Sequence, residues 1–265
     1  MSIPFYQVDA FTADPFRGNP AGVCHLQTRP SEQWMQSVAM EMNLSETAFT
    51  IPRADGAFDL RWFTPRTELD LCGHATLAAS HVLWETGHCV PDGLIRYHTR
   101  SGRLHARRRD GLIELDFPAT PPEPCKAPDG LLRALGLASA IAVERTRFDY
   151  LVEAANEEIV RSLAPDVTAM GPLDIRGVIV TARSSNARRD FVSRFLAPAV
   201  GVDEDPVTSS AHCALALYWA HRLGKTEMDA YQASSRGGSV HVRLAGDRVF
   251  LGGSAVTVLS GTLLA

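Results

Sequence analysis

A short motif that opens an apolar helix occurs twice in this chain. Cys72-Gly-His-Ala-Thr76 leads into small and apolar residues, and Ser209-Ser-Ala-His-Cys213 does the same 137 positions later. Each predicted helix carries a tryptophan near its end and stops at a glycine. A helix N-terminus presents free backbone N–H groups, so two such starts that face one another would attract an anion. The motif predicts two similar halves with a site framed by two helix starts.

The duplication extends beyond the helix start. Arg61-Trp-Phe-Thr-Pro65 resembles Arg194-Phe-Leu-Ala-Pro198, and Leu104-His-Ala-Arg107 resembles Val240-His-Val-Arg243. The matches follow the same order at nearly the same spacing, which is too long for a solenoid repeat. They predict two fused copies of one domain.

The boundary and the fold class follow from composition and pattern. A segment with four prolines, residues 117–124, is the natural linker. It predicts a first half at residues 1–119 and a second at 120–265. The duplicated helices are apolar almost all round, which is typical of a helix buried on every side. With many short strands, this predicts an α+β fold in which each half is a curved mixed sheet, or barrel, wrapped around a central helix.

Composition narrows the class of protein. The 265 residues are 45% hydrophobic and 21% charged with a net charge of -4, which argues against a nucleic-acid partner. Five scattered cysteines fit a reducing compartment, and no signal peptide or membrane-length apolar run is evident. We expect a cytoplasmic protein without a membrane partner. No paired-histidine, GxGxxG or P-loop motif occurs, so no metal and no cofactor are expected.

Three side chains are candidates for acid–base chemistry. Glu46 lies at the entry to an apolar strand, and the repeat aligns it with Arg176, so an acid–base function would exist in one half only. His74 titrates near neutral pH, and its position at a helix start favours the neutral form. Asp205, held by Pro206 before the second helix, is the best placed of three neighbouring carboxylates.

Cys72 is a candidate of a different kind. A helix N-terminus lowers the pKa of a thiol, although a buried cysteine is more often inert packing. A two-thiol racemase would need a matching cysteine in the second half. Thr208 or Ser209 occupies that place, and Cys213 lies one turn inside the helix.

These motifs together resemble the phenazine-biosynthesis isomerase (PhzF-like) family of the diaminopimelate-epimerase fold group. The resemblance covers nearly the whole chain. The motifs that carry it are Phe11–Val23, Asn43–Phe49, Arg61–Pro65, Leu71–Ala78, Asp190–Pro198, Glu204–Cys213 and Gln232–Gly238.

The resemblance implies both a fold and a site. The fold would be two pseudo-symmetric halves with the site in the cleft between them. The family's catalytic glutamate falls on Glu46, its helix-start pair on Gly73 and His74, its aspartate on Asp205 and its later serine on Ser210. The resemblance also makes a homodimer plausible.

We therefore predict a cofactor-independent isomerase in which Glu46 shifts a double bond in a small, cyclic or unsaturated carboxylate. Gly73, Ser209, Ser210 and Cys72 would bind the substrate. Ser209 replaces the glycine usual in the family, which would either narrow the anion pocket or remove a close backbone approach. Two alternatives stay open: a cysteine-dependent amino-acid racemase or epimerase, and a non-catalytic protein that binds small acids.

Overall fold

The computed structural model describes residues 2–91, 93–171 and 173–264. The chain forms two compact units, Met1–Phe117 with Leu251–Ala265, and Pro118–Phe250. The expected division at residue 120 therefore differs at the C-terminus, because the last 15 residues belong to the first unit. Their strand pairs with the N-terminal strand, which a linear repeat does not reveal.

The first unit is a mixed sheet with two helices. Its elements are β1 (Ser2–Ala10), β2 (Asn19–His25), α1 (Glu32–Met42), β3 (Glu46–Pro52), β4 (Phe58–Phe63), β5 (Glu68–Leu69), α2 (Gly73–Glu85), β6 (Ile95–Thr99), β7 (Gly102–Arg109) and β8 (Leu112–Pro118).

The second unit repeats this plan with more short helices. Its elements are β9 (Glu123–Pro124), α3 (Leu131–Ala134), β10 (Ala142–Arg145), β11 (Asp149–Glu153), α4 (Glu157–Ser162), α5 (Val167–Met170), β12 (Gly177–Arg183), β13 (Phe191–Ala197), β14 (Val202–Asp205), α6 (Ser209–Leu223), β15 (Glu227–Gln232) and β16 (Gly238–Ala245). Strand β17 (Arg248–Gly253) crosses back to the first unit, where β18 (Ala255–Leu264) ends the chain.

Strand pairing follows the same order in both units. In the first, β2 runs parallel to β3, β3 antiparallel to β4, and β4 pairs with both β5 and β6. In the second, β11 runs parallel to β12, β12 antiparallel to β13, and β13 pairs with both β14 and β15. The predicted duplication and the α+β class are confirmed.

The duplicated helices form the centres of their units. Helix α2 packs against β1, β2, β3 and β18 and is buried on nearly every side, as its sequence predicts. Helix α6 packs against β15 and β16. In the described part of the chain, no helix is long and apolar enough to cross a membrane.

The helix starts correct the predicted alignment of the two motifs. Because α2 begins at Gly73 and α6 begins at Ser209, equivalent residues lie 136 positions apart, not 137. Cys72 is therefore equivalent to Thr208, and His74 is equivalent to Ser210. The second unit has no thiol at the position of Cys72.

The strand register also corrects the predicted partner of Glu46. Thr47 pairs with Phe63, and Val178 pairs with Leu196, each two residues after the repeated arginine. Glu46 is thus equivalent to Gly177 and not to Arg176. A Cβ atom at Gly177 would lie 2.7 Å from the Phe195 ring and 2.8 Å from the Leu196 carbonyl oxygen. No side chain fits there, so the acid occurs in one unit only.

Candidate active site

Glu46 and His74 meet in the first unit, where β3 begins and α2 begins. Glu46 is the first residue of β3, which pairs there with Ala21 of β2, and His74 is the second residue of α2. Their side chains are 15% and 7% exposed, and Oε2 of Glu46 lies 2.8 Å from Nε2 of His74. The sequence separates these residues by 28 positions, and packing of α2 against β3 brings them together.

This contact is an ion pair between the two side chains. Within the described residues, the buried Glu46 Oε2 and His74 Nε2 atoms have no hydrogen-bond partner. Buried polar atoms are normally satisfied, so two adjacent ones without partners indicate a place where a ligand atom belongs. Both atoms are available to a third group.

Cys72 and Asn19 surround the other ring nitrogen of His74. Nδ1 lies 3.3 Å from the Asn19 amide nitrogen and 3.6 Å from Cys72 Sγ. In the neutral ring the amide donates to Nδ1, which leaves the ring proton on Nε2, beside Glu46. The protonated ring carries a proton there as well, so Nε2 is a donor toward Glu46 in both states.

The surroundings of His74 raise its pKa. Burial alone would lower that pKa, but Cys72 and the Glu46 carboxylate outweigh burial and raise it well above the usual range. This direction is opposite to the one expected from the helix start. A nearby anion has a larger effect than the partial charge of the helix terminus.

The surroundings of Cys72 raise the pKa of its thiol, whereas the helix start was expected to lower that pKa. Burial raises the pKa of the thiol, and the opposing effect of His74 does not compensate. A helix terminus lowers a thiol pKa mainly where the sulfur is partly exposed, and Cys72 is only 6% exposed. The thiol is a poor candidate for a free thiolate base.

Asp205 belongs to a second cluster, in the second unit. Its Oδ2 accepts a 2.5 Å hydrogen bond from the Thr208 hydroxyl. Gln232, which is fully buried, donates to the Asp205 carbonyl at 2.7 Å and accepts from the Thr208 N–H at 2.8 Å. The neighbouring Glu204 is occupied by a bidentate ion pair with Arg194, so Asp205 is the carboxylate held at the start of α6.

Ser209 and Ser210 form the first turn of α6. The Ser209 hydroxyl oxygen is buried and has no partner in the described structure. The Ser210 hydroxyl accepts a 3.0 Å hydrogen bond from Arg176, whose guanidinium also forms a bidentate pair with the buried Asp149. No side chain caps the N-terminus of α2 or of α6, so no capping side chain competes with a ligand for the N–H groups there.

Sequence reasoning missed the supporting residues Asn19, Thr208 and Gln232 as parts of the site. Asn19 and Gln232 lie within the motifs that carry the family resemblance, and that membership was the available signal. Their partners lie far along the chain, so no local pattern identifies the contacts. The structure brings the predicted residues into two clusters, one in each unit.

A family match now accompanies this geometry. Residues 8–261 match the family described as phenazine biosynthesis-like protein. The chain belongs to this family. The predicted family is confirmed, and the match covers both clusters.

Similar proteins agree with the family assignment. The chain is 52% identical to an uncharacterised isomerase of Halalkalibacterium halodurans, over 100% of this chain and 99% of that one. A crystal structure of a PhzF-family protein from Enterococcus faecalis superimposes with a TM-score of 0.95 at 40% identity, over 100% of both chains. The predicted isomerase class is confirmed at this level.

A more distant structure bears on the fold alone. A hydroxyproline epimerase from Agrobacterium vitis has a TM-score of 0.64 at 13% identity, over 99% of this chain and 92% of that one. This member of the phenazine biosynthesis-like family therefore has the epimerase-type fold that its sequence predicted. Its substrate and its catalytic residues stay predictions.

Proposed function

We propose that the protein is a cofactor-independent isomerase that moves a proton between two carbons of a small carboxylate. Glu46 is the acid–base group, and the substrate is cyclic or unsaturated. The observation that carries the proposal is the buried contact between Glu46 Oε2 and His74 Nε2, since both atoms lack hydrogen-bond partners in the described structure.

The reaction conserves atoms and electrons without an added reagent. The Glu46 carboxylate removes a proton from one carbon, and the released electron pair forms a new double bond while the original double bond opens and its electron pair becomes available at the far carbon. The glutamic acid then returns the proton to another carbon on the same face. A positioned acid–base group of this kind contributes about 10²–10⁴-fold to a rate.

His74 stabilises charge next to the base. Its Nε2 atom is 2.8 Å from the carboxylate oxygen, and its raised pKa favours a cationic ring. Such a ring stabilises negative charge that develops on the substrate and holds the carboxylate in position. In the neutral ring, the Asn19 amide keeps the imidazole oriented by donating to Nδ1.

The N-termini of α2 and α6 bind the carboxylate of the substrate in this proposal. The uncapped N–H groups near Gly73, Ser209 and Ser210 suit a carboxylate, with Asp205 and Cys72 as neighbouring contacts. The homodimer and the cytoplasmic location are also part of the proposal.

The geometry is less favourable to a cysteine-dependent racemase. Burial raises the pKa of Cys72, and Thr208 stands at the equivalent position of the second unit. An inversion with two opposed thiols is therefore not available to this chain. Gly177 of the second unit is equivalent to Glu46 and has no acid group. This is consistent with a single carboxylate that both removes and returns the proton.

The experiment is proton exchange in D₂O with a panel of small cyclic and unsaturated carboxylates, followed by mass spectrometry. Glu46→Gln should lower exchange at least 100-fold, because the amide cannot accept the proton. Glu41→Gln, on the exposed face of α1, is the matched control and should act like the wild type. Activity lost in Cys72→Ser but kept in Glu46→Gln would assign the base to the thiol. Binding without exchange by any variant would favour the non-catalytic alternative.

A further inference from the structure

Glu46, Cys72 and His74 bring together three different metal-ligating atoms. One ligand atom from each residue lies within 4.8 Å of the other two. Among the described residues, these three side chains form a group that is close enough to hold an ion. The sequence predicted no metal site, because the third member lies 26 positions before Cys72 and no paired-histidine spacing marks it.

We propose that these three side chains bind a zinc-class divalent ion, and that this ion blocks the isomerase site. The binding part stands on the cluster alone. The blocking part rests on the proposed function of Glu46. The ion acts as a reversible inhibitor, not as a cofactor.

The spacing of the three groups is close to what zinc requires. Zinc bonds of about 2.0–2.3 Å in a tetrahedral arrangement place neighbouring ligand atoms about 3.3–3.7 Å apart. His74 meets Glu46 through Nε2 at 2.8 Å and Cys72 through Nδ1 at 3.6 Å, while one ligand atom of each residue lies within 4.8 Å of the other two. Because one ring nitrogen binds one ion, the side chains must shift until a single nitrogen, the carboxylate and the sulfur surround the ion.

The donor set selects the class of ion. A thiolate and an imidazole favour zinc and similar transition metals, whereas magnesium and calcium prefer oxygen ligands. Three protein ligands leave a fourth tetrahedral position for water or a substrate oxygen. Magnesium therefore serves as the negative control.

The hydrogen bonding of these atoms points to the same place. His74 Nε2 and Glu46 Oε2 are buried and have no hydrogen-bond partner among the described residues, and His74 as a whole is only 5% exposed. A metal ion would satisfy both atoms and would take the place of the Cys72 thiol proton. Its bond to Glu46 would occupy the oxygen proposed to accept the substrate proton.

The test is titration of the purified protein with Co²⁺, whose bond to a thiolate gives a near-ultraviolet absorption band. One equivalent should produce the band, an equivalent of Zn²⁺ should remove it by displacement, and Mg²⁺ should not. Cys72→Ser should abolish the band and weaken Zn²⁺ binding about tenfold or more. Cys89→Ser, a half-buried cysteine beyond the end of α2, is the matched control and should keep both.

The two parts of the proposal fail separately. Absence of the band in the wild type, or its persistence in Cys72→Ser, overturns the metal site. If the band forms and Zn²⁺ leaves proton exchange unchanged, the blocking role is wrong. If Glu46→Gln keeps full exchange, the proposed function fails even where the cobalt band forms. The expected result is at least a tenfold loss of exchange with one equivalent of Zn²⁺, restored by a chelator.

Discussion

Replacement of Gly177 by alanine should destabilise the second unit. The new Cβ atom would lie 2.8 Å from the Leu196 carbonyl oxygen, whereas ordinary contact begins at 3.4 Å. The paired strands β12 and β13 would have to separate by about 0.6 Å, and overpacking of this kind costs about 1–3 kcal/mol. Because the atom in the way is backbone and cannot rotate aside, we expect about 2 kcal/mol, or a change of about thirty-fold in the folding equilibrium.

The assay is urea unfolding at pH 7, followed by circular dichroism. Gly261→Ala is the matched control, because Gly261 also lies in a strand and a Cβ there meets nothing within 4 Å. The control should remain within about 0.5 kcal/mol of the wild type. A Gly177→Ala protein as stable as the control would refute the argument that this position is closed to any side chain.

Two further predictions concern buried charge. Burial lowers the pKa of His25 and of His212 to about 4, so the unfolded chain binds more protons below pH 6.5. The contribution of these two neutral rings to stability is complete above about pH 6.5 and is lost as the pH falls toward 4, at up to about 1.4 kcal/mol per pH unit each. Urea unfolding at pH 7, 6 and 5 measures how steeply the stability falls. His212→Gln should reduce this slope, and an unchanged slope would contradict the prediction. Arg176→Met should destabilise by about 3 kcal/mol, because it leaves the Asp149 carboxylate, 3% exposed, without its cation. Asp149→Asn in the Arg176→Met background should recover part of the loss in the same assay, and a further additive loss would contradict the pairing.

Much of the fold could be predicted because the duplicated motifs are local. The arginines of the repeated strand, Arg61 and Arg194, each form a bidentate pair with a glutamate, Glu68 or Glu204. Equivalent residues make equivalent contacts, so two matching sequences imply two matching structures. The apolar pattern of α2 likewise predicted its burial.

The register of the strands was harder to predict from the sequence. A sequence match aligned Glu46 with Arg176, one residue away from the position that strand pairing assigns. Neighbouring residues of a strand point to opposite faces, so an error of one residue changes which side chain belongs to the site. The pKa of His74 was also beyond prediction, because it depends on burial, on Cys72 and on a carboxylate that only the folded chain brings near.

The pairing of the first and last strands has a consequence for synthesis. Ser2 of β1 pairs with Leu264 of β18, so the sheet of the first unit contains both ends of the described chain. A ribosome releases β18 only after the whole second unit has been made. We therefore expect β1, which can pair with β2 early, to wait for its second partner until β18 has been made. The nascent first unit would carry an open sheet edge throughout that interval, which makes it the segment most dependent on chaperones.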